Sequence, residues 1–229
     1  MSSGDYQLTR ERLASGELLN RLRSDPPPGI RIRSDAELDA TLADALRGHV
    51  DGEDLHVFGY GSLMWNPALH VADTRPALVQ GWHRRFCIRM LLGRGSVERP
   101  GAMLALDRGG ACHGLLLRIE ASRVSEELWL LWCREMLAGS YDARWVVARV
   151  GDATVRALTF VANRHHERYI AALPVDEIAR LIRTGQGSFG NARSYFDTTV
   201  QTLDQLGIRD RGMARLQRAV LAADGREAS

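Results

Sequence analysis

The sequence predicts an α+β fold, built on a small, mostly antiparallel β-barrel or sheet with flanking helices. Residues 79–90 alternate between apolar and polar side chains, which is typical of a half-buried strand. Two β-rich runs at 145–150 and 154–161 flank Gly151-Asp152, a spacing that predicts a hairpin. Residues 123–138 have helical periodicity instead. Strands interrupted by a helix in this way favour a sheet that is covered by helices.

Further strands and helices complete this prediction. Residues 55–58 form a short apolar run, and 103–106 and 113–119 are predicted strands joined by a turn at 107–110. Three helical stretches follow the last strand, near residues 175–184, 192–206 and 210–222.

The first 50 residues differ from the rest, because they contain helical patterns and no strand. A helix in the region of Leu8–Leu22 is predicted to break at Pro26-Pro27-Pro28, and a second helix is predicted from the cap Ser34 or Asp35 to Arg47. We therefore divide the chain into a helical N-terminal extension, residues 1–50, and a main domain, residues 51–229.

Composition argues against several classes of protein. The chain has 229 residues, 45% hydrophobic and 25% charged, with a formal net charge of +2 and no basic stripe, so we expect no nucleic-acid partner. No apolar run approaches the roughly 20 residues that span a bilayer, and Asp5 and Glu11 do not fit a secretory signal. Three widely spaced cysteines fit neither a zinc site nor a disulfide framework, which favours a reduced, cytoplasmic protein.

Glu135 breaks the apolar pattern of the predicted helix at 123–138. It follows Leu131 by four positions and Leu128 by seven, so it projects from the apolar face, whereas Arg134 falls on a different side. Burial raises the pKa of a carboxyl, which suits proton transfer near neutral pH. The alternative is that Glu135 faces water at the helix end or pairs with a nearby arginine.

A glycine-rich turn follows the first predicted strand. Gly59 and Gly61 flank Tyr60, and we expect positive φ values there and a nest of backbone N–H groups that could bind an anion, with Ser62 adding a hydroxyl. The alternative is an ordinary tight turn.

Three other features point to no chemistry. The run Gly185-x-Gly187-x-x-Gly190 matches a dinucleotide fingerprint only by letter, because it follows a helix and not a strand. His165-His166 do not share a face in a strand, and no further metal ligand accompanies them. No histidine is placed by sequence to activate Cys133, so we expect it in the core.

Taken together, these motifs resemble the ChaC-like family of glutathione-specific γ-glutamylcyclotransferases. The resemblance spans about residues 55–222 and looks closest to bacterial members. It is found in residues 57–67 (VFGYGSLMWNP), 81–87 (GWHRRFC), 93–95, 100–101, 131–136 (LWCREM) with Gly139 and Tyr141, and 187–195.

The resemblance implies a lyase that needs no cofactor or metal and acts on glutathione to give 5-oxoproline and Cys-Gly. It implies Glu135 as the catalytic acid–base, with residues 51–229 as the catalytic domain. Where relatives usually have arginine after the Pro-Gly pair, this chain has Ala102, which could alter affinity or specificity. The implied substrate-binding residues are Val57, Phe58, Gly59, Tyr60, Gly61, Ser62, Leu63 and Tyr141.

Alternatives remain open at this point. The chain could act on other γ-glutamyl amino acids or amines, or it could be a non-catalytic γ-glutamyl-binding module. A hydrolase using Cys133 as nucleophile is a further alternative. The sequence does not predict the oligomeric state.

Overall fold

The computed structural model describes residues 8–26 and 29–227. Its first three helices precede the sheet, and a glycine with φ of 69°, Gly16, separates the first two. Pro26 follows the second helix, whereas Pro27 and Pro28 of the predicted break lie outside the described residues. The three helices are α1 (Arg10–Ala14), α2 (Glu17–Ser24) and α3 (Asp35–Leu46).

In the described part of the chain, five strands form a closed barrel in the order β1-β3-β2-β4-β5. Strand β1 pairs antiparallel with β3, β2 with β4, and β4 with β5. Parallel pairings, such as Val57 with Leu158, join β5 to β1 and β3. The mostly antiparallel barrel that the sequence predicts is therefore confirmed. Its strands are β1 (Leu55–Gly59), β2 (Asp73–Met90), β3 (Gly101–Ile119), β4 (Tyr141–Val150) and β5 (Ala153–Ala162).

The predicted turn at residues 107–110 is wrong, because β3 runs without interruption from Gly101 to Ile119. Gly109 and Gly110 do have positive φ values, 99° and 70°, but they bend a continuous strand. A hairpin turn and a bent strand require the same glycine conformation, so the letters alone do not separate them. His83 on β2 lies beside these glycines, with its Nδ1 atom 3.0 Å from the Gly109 carbonyl oxygen.

The remaining helices lie close to their predicted positions. The helix predicted over 123–138 ends earlier, at Glu135, and Gly139 with φ of 71° follows it. A short hairpin, whose two strands have two residues each, connects α5 to α6, and the sequence does not predict it. These elements are the 3₁₀ turns Ser62–Met64 and Ala121–Arg123, the helices α4 (Val124–Glu135), α5 (Val175–Thr184), α6 (Ala192–Gln205) and α7 (Arg211–Glu227), and the strands β6 (Gln186–Gly187) and β7 (Gly190–Asn191).

The chain forms two compact units. The first comprises Leu8–His83 and Leu106–Asn163, and the second comprises Arg84–Ala105 with the described residues from Arg164 onward. Aromatic side chains pack edge-on in the core of each. In the first unit the rings of Trp132 and Phe160 lie 5.5 Å apart. In the second, the rings of Phe86 and Phe196 lie 5.6 Å apart.

Helices α1 to α3 pack within the first unit. The Trp132 indole donates to Thr41 Oγ1 at 3.0 Å, and the Trp145 indole donates to the carbonyl of Ala45 at 2.8 Å. These bonds attach α3 to α4 and to β4. No helix among the described residues combines the length and the apolar character needed to cross a bilayer.

Candidate active site

Glu135 is the last residue of α4, and only 16% of its side chain is exposed. Burial raises the pKa of its carboxyl above the ordinary value, while the neighbouring Arg134 guanidinium acts in the opposite direction. The C-terminal end of a helix is also the negative end of its dipole, which further disfavours a carboxylate. The apolar-face position that the sequence predicts for Glu135 thus corresponds to a buried carboxyl that holds its proton to higher pH.

The pairing with an arginine that the sequence left open also occurs, and the partner is the adjacent residue. Arg134 Nε lies 2.9 Å from Glu135 Oε1. Burial still outweighs this pairing, because the net direction of the Glu135 pKa is upward. The ion pair and the acid–base interpretation are therefore compatible.

Arg134 is the residue of this site that the sequence analysis missed. Its side chain is only 6% exposed, although its helix position differs from that of the apolar face. Other residues on that side of α4, Glu127 and Leu130, are buried as well, and Arg10 of α1 pairs with Glu127. The signal that could have identified Arg134 is its position directly before Glu135, a carboxylate on an apolar helix face.

The guanidinium of Arg134 connects the end of α4 to the turn after β1. Its Nη2 atom donates to Ser62 Oγ at 2.7 Å. Its Nη1 atom donates to the carbonyl oxygens of Asn66 and Pro67 at 2.7 and 3.1 Å. One buried side chain therefore contacts both the candidate acid–base and the predicted anion-binding turn.

The turn itself differs from the prediction in its backbone conformation. Neither Gly59 nor Gly61 has a positive φ, so the prediction of positive φ values at these glycines is wrong. Gly59 instead lies in tight packing, since a Cβ there would lie 3.1 Å from Leu63 Cβ. The chain turns into the short 3₁₀ helix Ser62–Met64, which is closed by a bond of 2.8 Å from Met64 N–H to the Gly61 carbonyl.

Strand β1 fixes where this turn begins. Val57 and Phe58 are fully buried, and Thr159 Oγ1 donates to the Phe58 carbonyl at 2.9 Å. A Cβ on Gly114 would overlap the Gly59 carbonyl oxygen and lie 2.8 Å from Phe58 Cζ. Because the side chains of Val57 and Phe58 belong to the core, their contribution to a site is to support the turn.

The other predicted site residues lie around the same elements. The side chains of Tyr60 and Leu63 are buried, whereas Ser62 is only half-buried. Tyr141 opens β4 and is also half-buried. The loop between Glu135 and Tyr141 is held by Asn163, whose side chain donates to the Gly139 carbonyl at 3.1 Å.

The features that the sequence analysis set aside have structural roles. Gly185 caps α5, and a Cβ on it would lie 2.6 Å from Gly101 Cα, so close backbone packing explains this glycine. Asn191 caps α6 by accepting from Ser194 N–H. Cys133 is buried, and burial raises the pKa of its thiol to about 11, which makes it a poor nucleophile. Across the described residues, no cluster of histidine, cysteine or carboxylate side chains is arranged to hold a metal ion.

The family model described as "ChaC-like protein" matches residues 55–223. The chain belongs to the ChaC-like family. The match starts at β1 and extends into α7, so the whole barrel and Glu135 lie inside it, and α1 to α3 precede it.

Curated relatives of this ChaC-like chain include bacterial and mammalian proteins. A glutathione-specific γ-glutamylcyclotransferase from Escherichia coli is 39% identical over 175 residues, covering 76% of each chain. Glutathione-specific γ-glutamylcyclotransferase 1 from Mus musculus is 32% identical over 178 residues, which is 76% of this chain and 77% of the mouse protein.

A solved structure supports the fold. The yeast γ-glutamylcyclotransferase specific to glutathione superimposes with a TM-score of 0.70 at 19% identity, covering 74% of this chain and 96% of the yeast chain. The α+β barrel architecture expected from the sequence is thereby confirmed.

Proposed function

We propose that this enzyme cyclises the γ-glutamyl group of glutathione, releasing 5-oxoproline and Cys-Gly, with Glu135 as the general acid–base. The observation on which the proposal rests is the buried Glu135 carboxyl, connected through Arg134 to Ser62, in a member of the ChaC-like family. The names of the E. coli and mouse relatives support glutathione as the substrate.

The reaction is an intramolecular acyl transfer. The α-amine of the γ-glutamyl group attacks its own γ-amide carbonyl, so that one C–N bond forms and closes the five-membered ring. The amide C–N bond to the cysteinyl nitrogen then breaks. Glu135 as carboxylate takes a proton from the attacking amine and delivers it to the departing nitrogen. Atoms balance without water, and the carboxylate is regenerated.

A raised pKa suits this double role. An ordinary glutamate is a weak base for an amine, and burial raises the pKa of Glu135 above that of an ordinary glutamate, which makes its carboxylate a stronger base. Arg134 opposes this effect and keeps the carboxylate available as the base that the first step requires. Removal of the carboxylate abolishes proton transfer in both directions.

The turn would bind the glutamyl α-carboxylate. Backbone N–H groups of residues 59–63 are candidate donors, and Ser62 adds its hydroxyl. Because Ser62 Oγ accepts from Arg134, its own proton is left to donate to a ligand. A carboxylate held there places the α-amine near the γ-carbonyl, and such orientation supplies much of the rate gain.

Tyr60 and Tyr141 are the proposed aromatic members of the site. A tyrosine hydroxyl can donate a hydrogen bond to the oxyanion that forms on the γ-carbonyl. Val57, Phe58 and Leu63 support the turn from the core, as described above. No cofactor is required for this chemistry. The three free, buried cysteines fit a reducing compartment such as the cytoplasm.

The direct test incubates the purified protein with glutathione and quantifies 5-oxoproline and Cys-Gly. Wild type should form both in equal amounts, and Glu135→Gln should form neither. Glu53→Gln is the matched control, because Glu53 is exposed and lies outside the site. Glu135→Gln should keep the far-UV spectrum and thermal transition of a folded protein.

A substrate panel separates the remaining possibilities. γ-Glutamyl amino acids and γ-glutamylamines should be turned over far more slowly than glutathione. Faster turnover of one of them would assign that compound as substrate, with Ala102 as the first residue to exchange for arginine. Binding of glutathione without turnover of any compound would indicate a binding module instead.

A further inference from the structure

Arg134 uses all three of its nitrogen atoms on different partners. Nε contacts Glu135 Oε1, Nη2 donates to Ser62 Oγ, and Nη1 donates to the carbonyls of Asn66 and Pro67. The planar guanidinium is suited to this, because its donors point in fixed directions in one plane. The side chain is 6% exposed, so neighbouring atoms restrict it to this position.

We propose that Arg134 is a positioning residue, which fixes the Glu135 carboxylate and the Ser62 turn at one spacing so that proton transfer and substrate binding occur together. This inference rests on the proposed function. The contact of Arg134 Nε with Glu135 Oε1 leaves Oε2 of Glu135 to exchange the proton with the substrate nitrogens. Its contact with Ser62 orients the hydroxyl toward the ligand.

The charge environment of Glu135 supports a specific role for Arg134. Among the described residues, Arg134 is the group whose charge acts on Glu135, and it lowers the carboxyl pKa against the effect of burial. Other charged groups on the packed elements have different partners. Arg33 donates to the Met136 carbonyl, and Arg10 on α1 pairs with Glu127. Asp35 on α3 pairs with Arg23.

Two substitutions separate the charge of Arg134 from its geometry. Arg134→Gln removes the positive charge, so the pKa of Glu135 should rise and the acidic limb of the kcat/KM profile should move to higher pH, by about one pH unit. Arg134→Lys keeps a charge but is unable to reach all of the partners. The acidic limb of the kcat/KM profile of Arg134→Lys should therefore lie at a pH closer to that of wild type.

Both variants should lose kcat/KM, by about a hundredfold, because small misplacements of reacting groups cost about this much. Arg118→Gln is the matched control. Arg118 forms a partly exposed ion pair with Asp54, and its loss should leave the pH profile and kcat/KM unchanged.

A second readout does not depend on turnover. The side-chain carboxyl of Glu135 can be titrated by carbon NMR in ¹³C-labelled protein, with Glu135→Gln assigning the signal. Its pKa should be higher in Arg134→Gln than in wild type and close to wild type in Arg118→Gln.

The outcomes distinguish this inference from the proposed function. If wild type does not cyclise glutathione, the proposed function fails. The NMR titration still tests whether Arg134 lowers the pKa of the Glu135 carboxyl. If wild type is active and depends on Glu135, a normal pH profile and kcat/KM in Arg134→Gln would overturn the inference alone. Wild-type kcat/KM in Arg134→Lys would overturn the claim that the geometry of the guanidinium, and not its charge alone, is needed. Loss of the fold in both variants would overturn it too, since Arg134 would then be a structural requirement.

Discussion

Arg10 in α1 forms an ion pair with Glu127 in α4, with Nη2 2.8 Å from Oε1. The Glu127 side chain is fully buried, and its Oε2 also accepts from the His70 N–H at 3.1 Å. Nearby, the Asn66 side chain donates to the Leu8 carbonyl at 2.9 Å. The segment around α1 is thus bonded both to α4 and to the chain that follows the Ser62 turn.

Replacing Arg10 should destabilise the protein strongly. Arg10→Met leaves Glu127 as a buried charge without its ionic partner, which typically costs about 3–5 kcal/mol of unfolding free energy. Urea unfolding measures this loss. Arg31→Met is the control, because the Arg31–Glu37 pair is mostly exposed and its loss should leave the urea unfolding midpoint nearly unchanged. Glu127→Gln added to Arg10→Met should recover part of the loss. Equal effects at Arg10 and Arg31 would contradict this account.

Gly114 should tolerate no side chain. In Gly114→Ala the added methyl group meets the Gly59 carbonyl oxygen and the Phe58 ring, so β1 must move at the point where the turn begins. We expect a loss of about 1–3 kcal/mol in unfolding free energy, as for overpacked cores, and a clear fall in kcat/KM with glutathione.

Gly48→Ala provides the comparison for Gly114. Gly48 is exposed, and its nearest neighbours are the guanidinium atoms of Arg156, at the end of a flexible side chain. Its kcat/KM should stay within about twofold of wild type, because no atom of the turn is among the nearest neighbours of the added methyl group. Wild-type kinetics in Gly114→Ala would show that the position of β1 does not matter for the site.

The thiols should be unreactive in the folded protein. Cys87, Cys112 and Cys133 are all buried, and burial raises the pKa of Cys133 to about 11. At pH 8 only about one molecule in a thousand then has the Cys133 thiolate. Ellman's reagent should therefore titrate three thiols in guanidinium chloride and essentially none in native buffer. Rapid native labelling with parallel loss of activity would instead support a cysteine nucleophile.

Glu135 should make stability depend on pH in a defined direction. Burial raises the pKa of the folded carboxyl above its ordinary value of 4.5, so the folded state holds the proton more tightly than the unfolded state. The stabilisation is complete below the unfolded pKa and is lost as pH rises through the folded pKa. The Tm of Glu135→Gln relative to wild type should therefore increase as pH rises above the ordinary carboxyl pKa of 4.5.

Glu53→Gln supplies the control for this titration. Because Glu53 is exposed and lies outside the site, this variant measures the general effect of exchanging a glutamate for glutamine over the same pH range. If the Tm of Glu135→Gln relative to wild type stays constant or falls as pH rises, ionisation of Glu135 does not destabilise the folded protein.

Much of the fold follows from local patterns. Helix α5 has the predicted limits, the hairpin of β4 and β5 turns at Gly151-Asp152, and Ser34 caps α3 through a reciprocal capping box with Glu37. In each case one short stretch contains both the periodicity and its boundary signal. One exception, residues 107–110, shows that glycines specify a conformation without specifying whether a strand ends there.

The site was only partly predictable for the same reason. Glu135 could be found because helical periodicity places it on an apolar face. Arg134 could not be assigned, because the groups that bind its guanidinium, on Ser62, Asn66 and Pro67, are distant from it in sequence. Likewise, the support that Thr159 and Gly114 give to the turn depends on strand pairings that no local pattern encodes.

The central claim is that Glu135 transfers the proton in the cyclisation of glutathione. The most direct measurement compares wild type and Glu135→Gln for both glutathione binding, by calorimetry, and 5-oxoproline release. We expect wild type to release 5-oxoproline and Cys-Gly, and the variant to bind glutathione with similar affinity and to release neither. Turnover of glutathione by Glu135→Gln at a rate near that of wild type would exclude Glu135 as the proton-transfer group.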